Sequence, residues 1–218
     1  MEISYLGHAS FKLKGKQGIV VTDPFEKMTG YSFPSVTADV ITMSHQHPDH
    51  NAASQVKPTA NREKPFLIST AGEFEVSGIS VFGYPTYHDD KKGEERGKNI
   101  VFSIHLDGVH ILHLGDLGHT LTNDLIESFG EVDVLLCPVG GVYTIDSKTA
   151  VEVISSIEPS FIIPMHYKVP ESDEKVFGGL QTVADFEKEL GMQSEPVKSF
   201  SLTAGTQSEQ TTLVVLSR

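Results

Sequence analysis

The segment Ser44-His45-Gln46-His47-Pro48-Asp49-His50 constrains this chain more than any other stretch. It puts three of the chain's 10 histidines and an aspartate within six positions, directly behind the run Asp39-Val40-Ile41-Thr42-Met43. A near-continuous apolar run predicts a strand buried on both faces. A loop leaving such a strand has a fixed base and free side chains, a common setting for function. Imidazole and carboxylate suit zinc, and also manganese or iron. His45 and His47 are two apart, so in an extended loop both point to one side and can share an ion. Asp49 has the same parity, but a turn at Pro48 would swing it and His50 toward a second site. The spacing differs from the helical His-Glu-x-x-His pattern, whose ligands sit four apart.

The rest of the chain supplies a frame. Short β-type runs dominate the first half: Ile3–Leu6, Ser10–Leu13, Gly18–Val21, Phe66–Ser69, Phe74–Val76 and Ile79–Tyr84. Ile100–Leu106 and Val109–Leu114 flank Asp107-Gly108, a strong hairpin signal. Later, Asn123–Phe129 reads as a short helix and Val132–Cys137 as a buried strand. Asp146 is placed to cap a helix to about Ile157, with Val151, Ile154 and Ile157 at helical spacing. Phe161–Ile163 reads as a strand stopped by Pro164, Thr182–Leu190 as a helix ended by Gly191, and Thr211–Leu216 as a last strand. The pattern supports an α/β or α+β class in one domain, 1–218.

Charge narrows the function. With 17 Lys+Arg against 29 Asp+Glu the net charge is −12, and no basic cluster appears, which argues against a nucleic-acid partner. No apolar window approaches the ~18 residues a membrane span needs. One cysteine, Cys137, excludes an internal disulfide and fits a reducing compartment; with no basic leader at the start, a cytoplasmic location is expected. Cys137 lies in an apolar strand run and reads as core.

Further donors stand at strand ends. His88 closes one run. Asp116 sits between glycines in Leu114-Gly115-Asp116-Leu117-Gly118, and His166 follows Phe161-Ile162-Ile163-Pro164-Met165. His105 and His110, inside the expected hairpin, read as solvent-facing or hydrogen-bonded instead.

In order and context these residues resemble the metallo-β-lactamase-fold hydrolase superfamily: His45-x-His47-x-Asp49-His50, then His88, Gly115-Asp116 and Pro164-Met165-His166. Leu6-Gly7-His8-Ala9-Ser10-Phe11, Thr22-Asp23-Pro24-Phe25, Leu114-Gly115-Asp116-Leu117-Gly118-His119 and Pro138-Val139-Gly140-Gly141 are similar to its L-ascorbate-6-phosphate lactonase-like branch. The resemblance implies a four-layer αββα sandwich with a dinuclear centre at one edge. It implies His45, His47 and His88 on a first ion, Asp49, His50 and His166 on a second, and Asp116 bridging. Ala53 stands where the family often has Gly. His88 follows His50 more closely than in the lactamases, so a lactam substrate is not implied.

The expected activity is a metal-dependent hydrolase, with two Zn2+ per chain (Mn2+ or Fe as alternatives). A hydroxide formed near neutral pH would attack a small ester, lactone or phosphoester. His8 and Asp49 are the catalytic candidates, Asp49 as a proton acceptor and His8 at substrate or the metal edge. Asp23 is the expected anchor for a ligating imidazole. His113 and His119 are candidates for supporting roles, Tyr143 for a donor to substrate, and Gly140-Gly141 for close backbone approach. The alternatives are a nuclease on the same scaffold, which the charge disfavours, a non-catalytic metal-binding regulator, and a di-iron redox role, disfavoured because the chain carries no flavin-binding partner domain. The partner is a small-molecule substrate; the sequence leaves the oligomeric state open.

Overall fold

The computed structural model describes residues 1–206, 208 and 210–218. Strands β1 (Glu2–Gly7), β2 (Ser10–Lys14), β3 (Ile19–Thr22), β4 (Thr37–Ala38), β5 (Val40–Thr42), β6 (Lys57–Pro58) and β7 (Phe66–Ile68) form the first part. Then come β8 (Gly72–Val76), β9 (Ile79–Tyr87), β10 (Lys98–Leu106), β11 (Val109–His113), helix α1 (Asn123–Phe129) and β12 (Val134–Pro138). The chain continues through α2 (Ser147–Ile157), β13 (Phe161–Met165), α3 (Glu174–Phe177), α4 (Val183–Leu190), β14 (Phe200–Ser201) and β15 (Thr212–Leu213). One sheet has the order β14-β1-β2-β3-β5-β7, the other β15-β13-β12-β11-β10-β9-β8, and β4 pairs with β6.

Alternation decides what each face does. Val20 and Val40 enter the large apolar cluster that joins the two sheets, while their neighbours Val21 and Ile41 join a smaller cluster with Leu6, Met43 and Val56 on the outer face. Both faces of β5 are therefore buried, as its apolar run predicts. The outer layer over the first sheet is thin; among the described residues its helical elements are the 3-10 turns Lys27–Thr29 and Ala53–Gln55. On the second sheet, α2 presents Ala150, Val153, Ile154 and Ile157 to the core, and α4 presents Phe186. The mixed α/β sandwich expected from the resemblance is what forms.

Local signals hold in most places. Asp107 and Gly108 both take positive φ, 55° and 75°, as a two-residue hairpin requires. Asp146 accepts from the Thr149 N–H and caps α2. Gly191 ends α4 at φ 73°. Two expectations need correction. Pro164 does not stop β13, which runs on to Met165. In a parallel ladder alternate residues bond opposite sides, and Ile162 bonds toward β15, accepting from Val214 N. Pro164 shares that side but lies past the end of β15, so its missing N–H deprives no partner. Val151 is only half-buried; the α2 face turns on Val153 and Ala150 instead.

Strand direction positions the site. β3, β5 and β7 are parallel, as are β11, β12 and β13, and the antiparallel partners make β1 and β9 run with them. The C-terminal ends of these strands release His8, Asp23, His45, His88, Asp116 and His166 toward one edge.

Candidate metal centre

The loop behind β5 turns at once. His50 N donates to His47 O at 2.9 Å, so Pro48 and Asp49 form the corner and His50 folds back into the interior. His45 and His47 stay on one side, their ring centroids 4.6 Å apart, with His88 at 4.8 and 5.1 Å. The donor atoms form three compact groups: His45, His47 and His88; His8, Asp49, His50 and His166; and His45, His50 and Asp116. Asp116 lies at the centre. Its Oδ2 is 3.1 Å from His50 Nε2, 3.1 Å from His88 Nε2, 3.3 Å from His166 Nε2 and 3.8 Å from His45 Nε2. All seven residues expected as ligands thus meet at one place, and His8 joins them.

Beneath them a buried network sets the imidazoles. Asp23, fully buried, accepts from Ser44 N at 2.7 Å, Ser44 Oγ at 2.5 Å and His50 Nδ1 at 3.0 Å. Since the Ser44 hydroxyl proton goes to Asp23, Ser44 Oγ accepts from His45 Nδ1 at 2.9 Å. Both rings are therefore held through Nδ1 and turn Nε2 inward, which leaves Nε2 as the atom a metal would take. His113 does the same for backbone: its Nε2 donates to Ala9 O at 2.8 Å and its Nδ1 accepts from Gly115 N at 3.1 Å. It ties together the turns that carry His8 and Asp116. Asn99, which the sequence gives no reason to single out, accepts from Asp116 N at 2.9 Å and donates to Leu114 O and Thr86 Oγ1.

The electrostatics follow from crowding. Burial, with His50 close by, pushes the His45 pKa down to about 3, and burial with His166 pushes His8 down to about 4. Burial also opposes charge on His50, but Asp116, Asp23 and Asp49 outweigh it and raise its proton affinity well above the usual range. Asp116, Asp23 and Asp49 are held below the ordinary carboxylate range: burial opposes this, and the surrounding imidazoles prevail.

Do these residues fit a metal? Buried side-chain atoms without a hydrogen-bond partner answer it. Among the described residues, all but Thr42 Oγ1 belong to this cluster: His45 Nε2, His50 Nε2, His88 Nδ1, Asp116 Oδ1 and both ring nitrogens of His166. Each such group costs about 1–3 kcal/mol if left unmet. The Nε2 atoms of His45, His50 and His166 lie within 3.1–3.8 Å of the Asp116 carboxylate, where divalent cations would satisfy them; the Nδ1 atoms of His88 and His166 sit on the far side of their rings.

Other candidates fall elsewhere. His119 is not at the centre; it is half-buried, accepts from Tyr87 N at 3.2 Å and donates to Thr120 O at 2.7 Å. Tyr143 lines the site, but its hydroxyl donates to Val176 O at 2.7 Å. Gly140 serves the protein itself: a Cβ there would lie 2.0 Å from His166 O, so glycine lets two backbones touch and seats His166. His105 and His110 are hydrogen-bonded through Ser103, as the hairpin context predicts. Cys137 is fully buried core, its thiol pKa pushed up by burial. Above the donors, Phe177 packs 5.2 Å from His8 and 6.1 Å from Tyr143, and with Val176 closes a cavity of about 240 Å³. Neither Phe177 nor Arg96, which also lines it, carries a sequence signal.

A family model described as a beta-lactamase superfamily domain matches residues 2–166. A metal-dependent hydrolase from Thermococcus onnurineus is 29% identical over 210 residues, covering 82% of this chain and 92% of that one. One from Thermoplasma volcanium is 30% identical over 191 residues, covering 77% and 83%. A crystal structure from Thermotoga maritima, described as a candidate zinc-dependent hydrolase of the metallo-beta-lactamase superfamily, is 39% identical, covers 99% of this chain and 97% of that one, and superposes with a TM-score of 0.78.

Proposed function

The chain belongs to the metallo-β-lactamase superfamily and is a metal-dependent hydrolase, and from that premise we propose that it hydrolyses a small ester, lactone or phosphoester at a dinuclear zinc centre. His45, His47 and His88 would hold one ion, Asp49, His50 and His166 the other, with Asp116 between them. The concentration of unpartnered buried donors around Asp116 carries this reading. Divalent cations held by these residues would supply Lewis acidity and make water a nucleophile near neutral pH, its pKa lowered from about 15.7 toward about 7.

The chain's own residues do the rest. Asp23 and Ser44 orient His45 and His50. His8 Nε2 donates to Asp49 Oδ2 at 3.2 Å and fixes that carboxylate beside the reacting bond, where it can take the proton released by the attacking water and give it to the departing oxygen. Phe177, Val176 and Tyr143 narrow the space over the donors to about 240 Å³, which favours a small molecule over a polymer. The lactonase-like branch stays within this proposal as one substrate class among the three. Among the described residues no helix is long and apolar enough to cross a membrane, and the single buried cysteine suits the reducing compartment expected for a cytoplasmic enzyme.

Elemental analysis of the purified protein tests the centre. About two zinc ions per chain are expected, and fewer than about half an ion in Asp116→Asn, with hydrolysis lost in parallel. An unchanged metal load in that variant contradicts the ligand assignment. A panel of lactones, carboxylic esters and phosphodiesters tests the chemistry, and no turnover by fully loaded protein contradicts it.

A further inference from the structure

Two cavities meet at Arg96 and His47. The smaller lies over the donors; the larger, about 630 Å³, runs away from His45 and His47 over a floor that includes Ala71, Pro85 and Ile100. Lys98 lines the larger one, on the same strand face as Ile100 two residues on. Among the described residues no carboxylate lies within 4.0 Å of the Lys98 ammonium, whereas Lys91 and Lys168 pair with Glu95 and Glu174. Arg96 is fixed from two sides. Its backbone N–H donates to Asp89 Oδ2 at 2.8 Å, and its Nη2 donates to Val142 O at 3.0 Å. The buried Asp89 carboxylate also accepts from the N–H groups of Lys91, Gly93 and Glu95, winding the loop behind His88 into one shape. The guanidinium is thus tethered before any ligand arrives; its Nη1 lies 3.9 Å from Glu95 Oε2, beyond hydrogen-bond reach, so its remaining N–H groups are open to a ligand.

Charge gives this meaning. A chain of net charge −12 repels anions over most of its surface. Here a pre-placed Arg and an unpaired Lys line one cavity with an apolar floor. A carboxylate or phosphoryl oxygen pair matches the planar guanidinium fork, and an alkyl stem matches Ala71, Pro85 and Ile100.

We propose that the larger cavity is a specificity site. It receives an apolar stem ending in a carboxylate or phosphoryl group bound by Arg96 and Lys98, while the bond to be cleaved lies over the donors. Only the reacting end rests on the hydrolase reading; the anion-binding end rests on the cavity. Glutarate, butyrate and 4-phosphonobutyrate separate the terms without turnover. One acidic end of each can reach the metal centre, and only the two longer dianions carry a second group for Arg96 and Lys98.

By calorimetry on zinc-loaded protein, at least one dianion is expected to bind about tenfold or more tighter than butyrate. Which dianion wins distinguishes a carboxylate from a phosphoryl preference, and either supports the site. In Arg96→Gln/Lys98→Met the ratio is expected to fall close to one. Lys98→Met alone, a change at an exposed position, is expected to lower it about threefold and serves if the double variant misfolds. A ratio near one in the unmodified protein, or one that survives the substitutions, overturns the proposal. Mono-p-nitrophenyl glutarate against p-nitrophenyl acetate adds kinetics, with a kcat/KM preference for the charged ester expected to shrink in the same variants. Dianion preference without turnover of any ester refutes the hydrolase reading and leaves the anion site standing. Turnover with no charge preference in binding or rate does the reverse.

Discussion

At the scale of single residues the centre depends on who holds the second nitrogen of each imidazole. Asp23 is the clearest case, because one carboxylate accepts three hydrogen bonds from the two positions Ser44 and His50. Asp23→Asn keeps the volume but replaces one acceptor by an NH2 group. At the Oδ1 position that donor faces the Ser44 N–H, which cannot answer; at the Oδ2 position it faces both the Ser44 hydroxyl and His50 Nδ1, and His50 can answer only by moving its proton to Nε2, the atom a metal would take. Metal affinity is expected to fall by about 10–100-fold with the fold retained. Chelator competition read alongside circular dichroism checks both halves; unchanged zinc affinity would mean that Asp23 is only a turn residue. The candidate ligands and Asp23 were legible because their segments follow apolar runs that had to be strands. Asn99 and Ser44 were not legible in their roles. Their partners lie across the sheets, Asn99 reaching Asp116 and Ser44 reaching Asp23, and a single sequence shows chain neighbours only.

At the scale of elements the site is a property of strand ends. His8 and His166 illustrate how tightly those ends are fixed. Both have φ in the left-handed region, 56° and 53°, and His166 N donates to His8 O at 2.9 Å, so the two backbones hold each other where neither would rest alone. Gly140 makes room for this against His166 O. Gly140→Ala places a methyl where the carbonyl is, and backbone cannot yield as a flexible side chain can. The end of β13 must then shift and carry His166 away from Asp116. A loss of about 1–3 kcal/mol in stability is expected, together with weaker retention of zinc, measured by denaturant unfolding and by dialysis against chelator. Stability lost with zinc retention intact would sever Gly140 from the site. The sequence carried the strand runs, the Asp107-Gly108 turn and the Asp146 cap, since each is a local choice. It misled at Pro164, where a local rule about a missing N–H was overruled by a neighbouring strand that had already ended.

At the scale of the whole molecule, protons and cations compete for one acidic pocket inside an acidic chain. His8 and His45 titrate at about 4 and about 3 in the metal-free fold, below the ordinary 6.5, because burial disfavours their charged forms. An unfolded chain takes up those protons near pH 6.5 and the folded one does not. Between about pH 6.5 and 4 the unfolded state therefore binds more protons, and stability rises with pH across that window and is lost as pH falls. His50 has the opposite sign. Its affinity for a proton is raised by Asp116, Asp23 and Asp49, so its contribution is present below about pH 6.5 and fades as pH rises through its folded value. Its slope therefore lies above about pH 6.5 and leaves the acid window to His8 and His45. Each linked histidine is worth about 1.36 kcal/mol per pH unit, and a chain of this length shifts its midpoint by about 2–4 °C per kcal/mol. The metal-free protein should then lose several degrees of Tm for each pH unit between about 6.5 and 4. The zinc-loaded protein should hold its Tm to lower pH and then drop more steeply, because His50 must surrender its proton to bind and retakes it when the ion leaves. Calorimetric scans of both forms across that range decide it: parallel curves, or a metal-free Tm that rises toward acid, would show that these buried imidazoles do not govern the fold's response to pH.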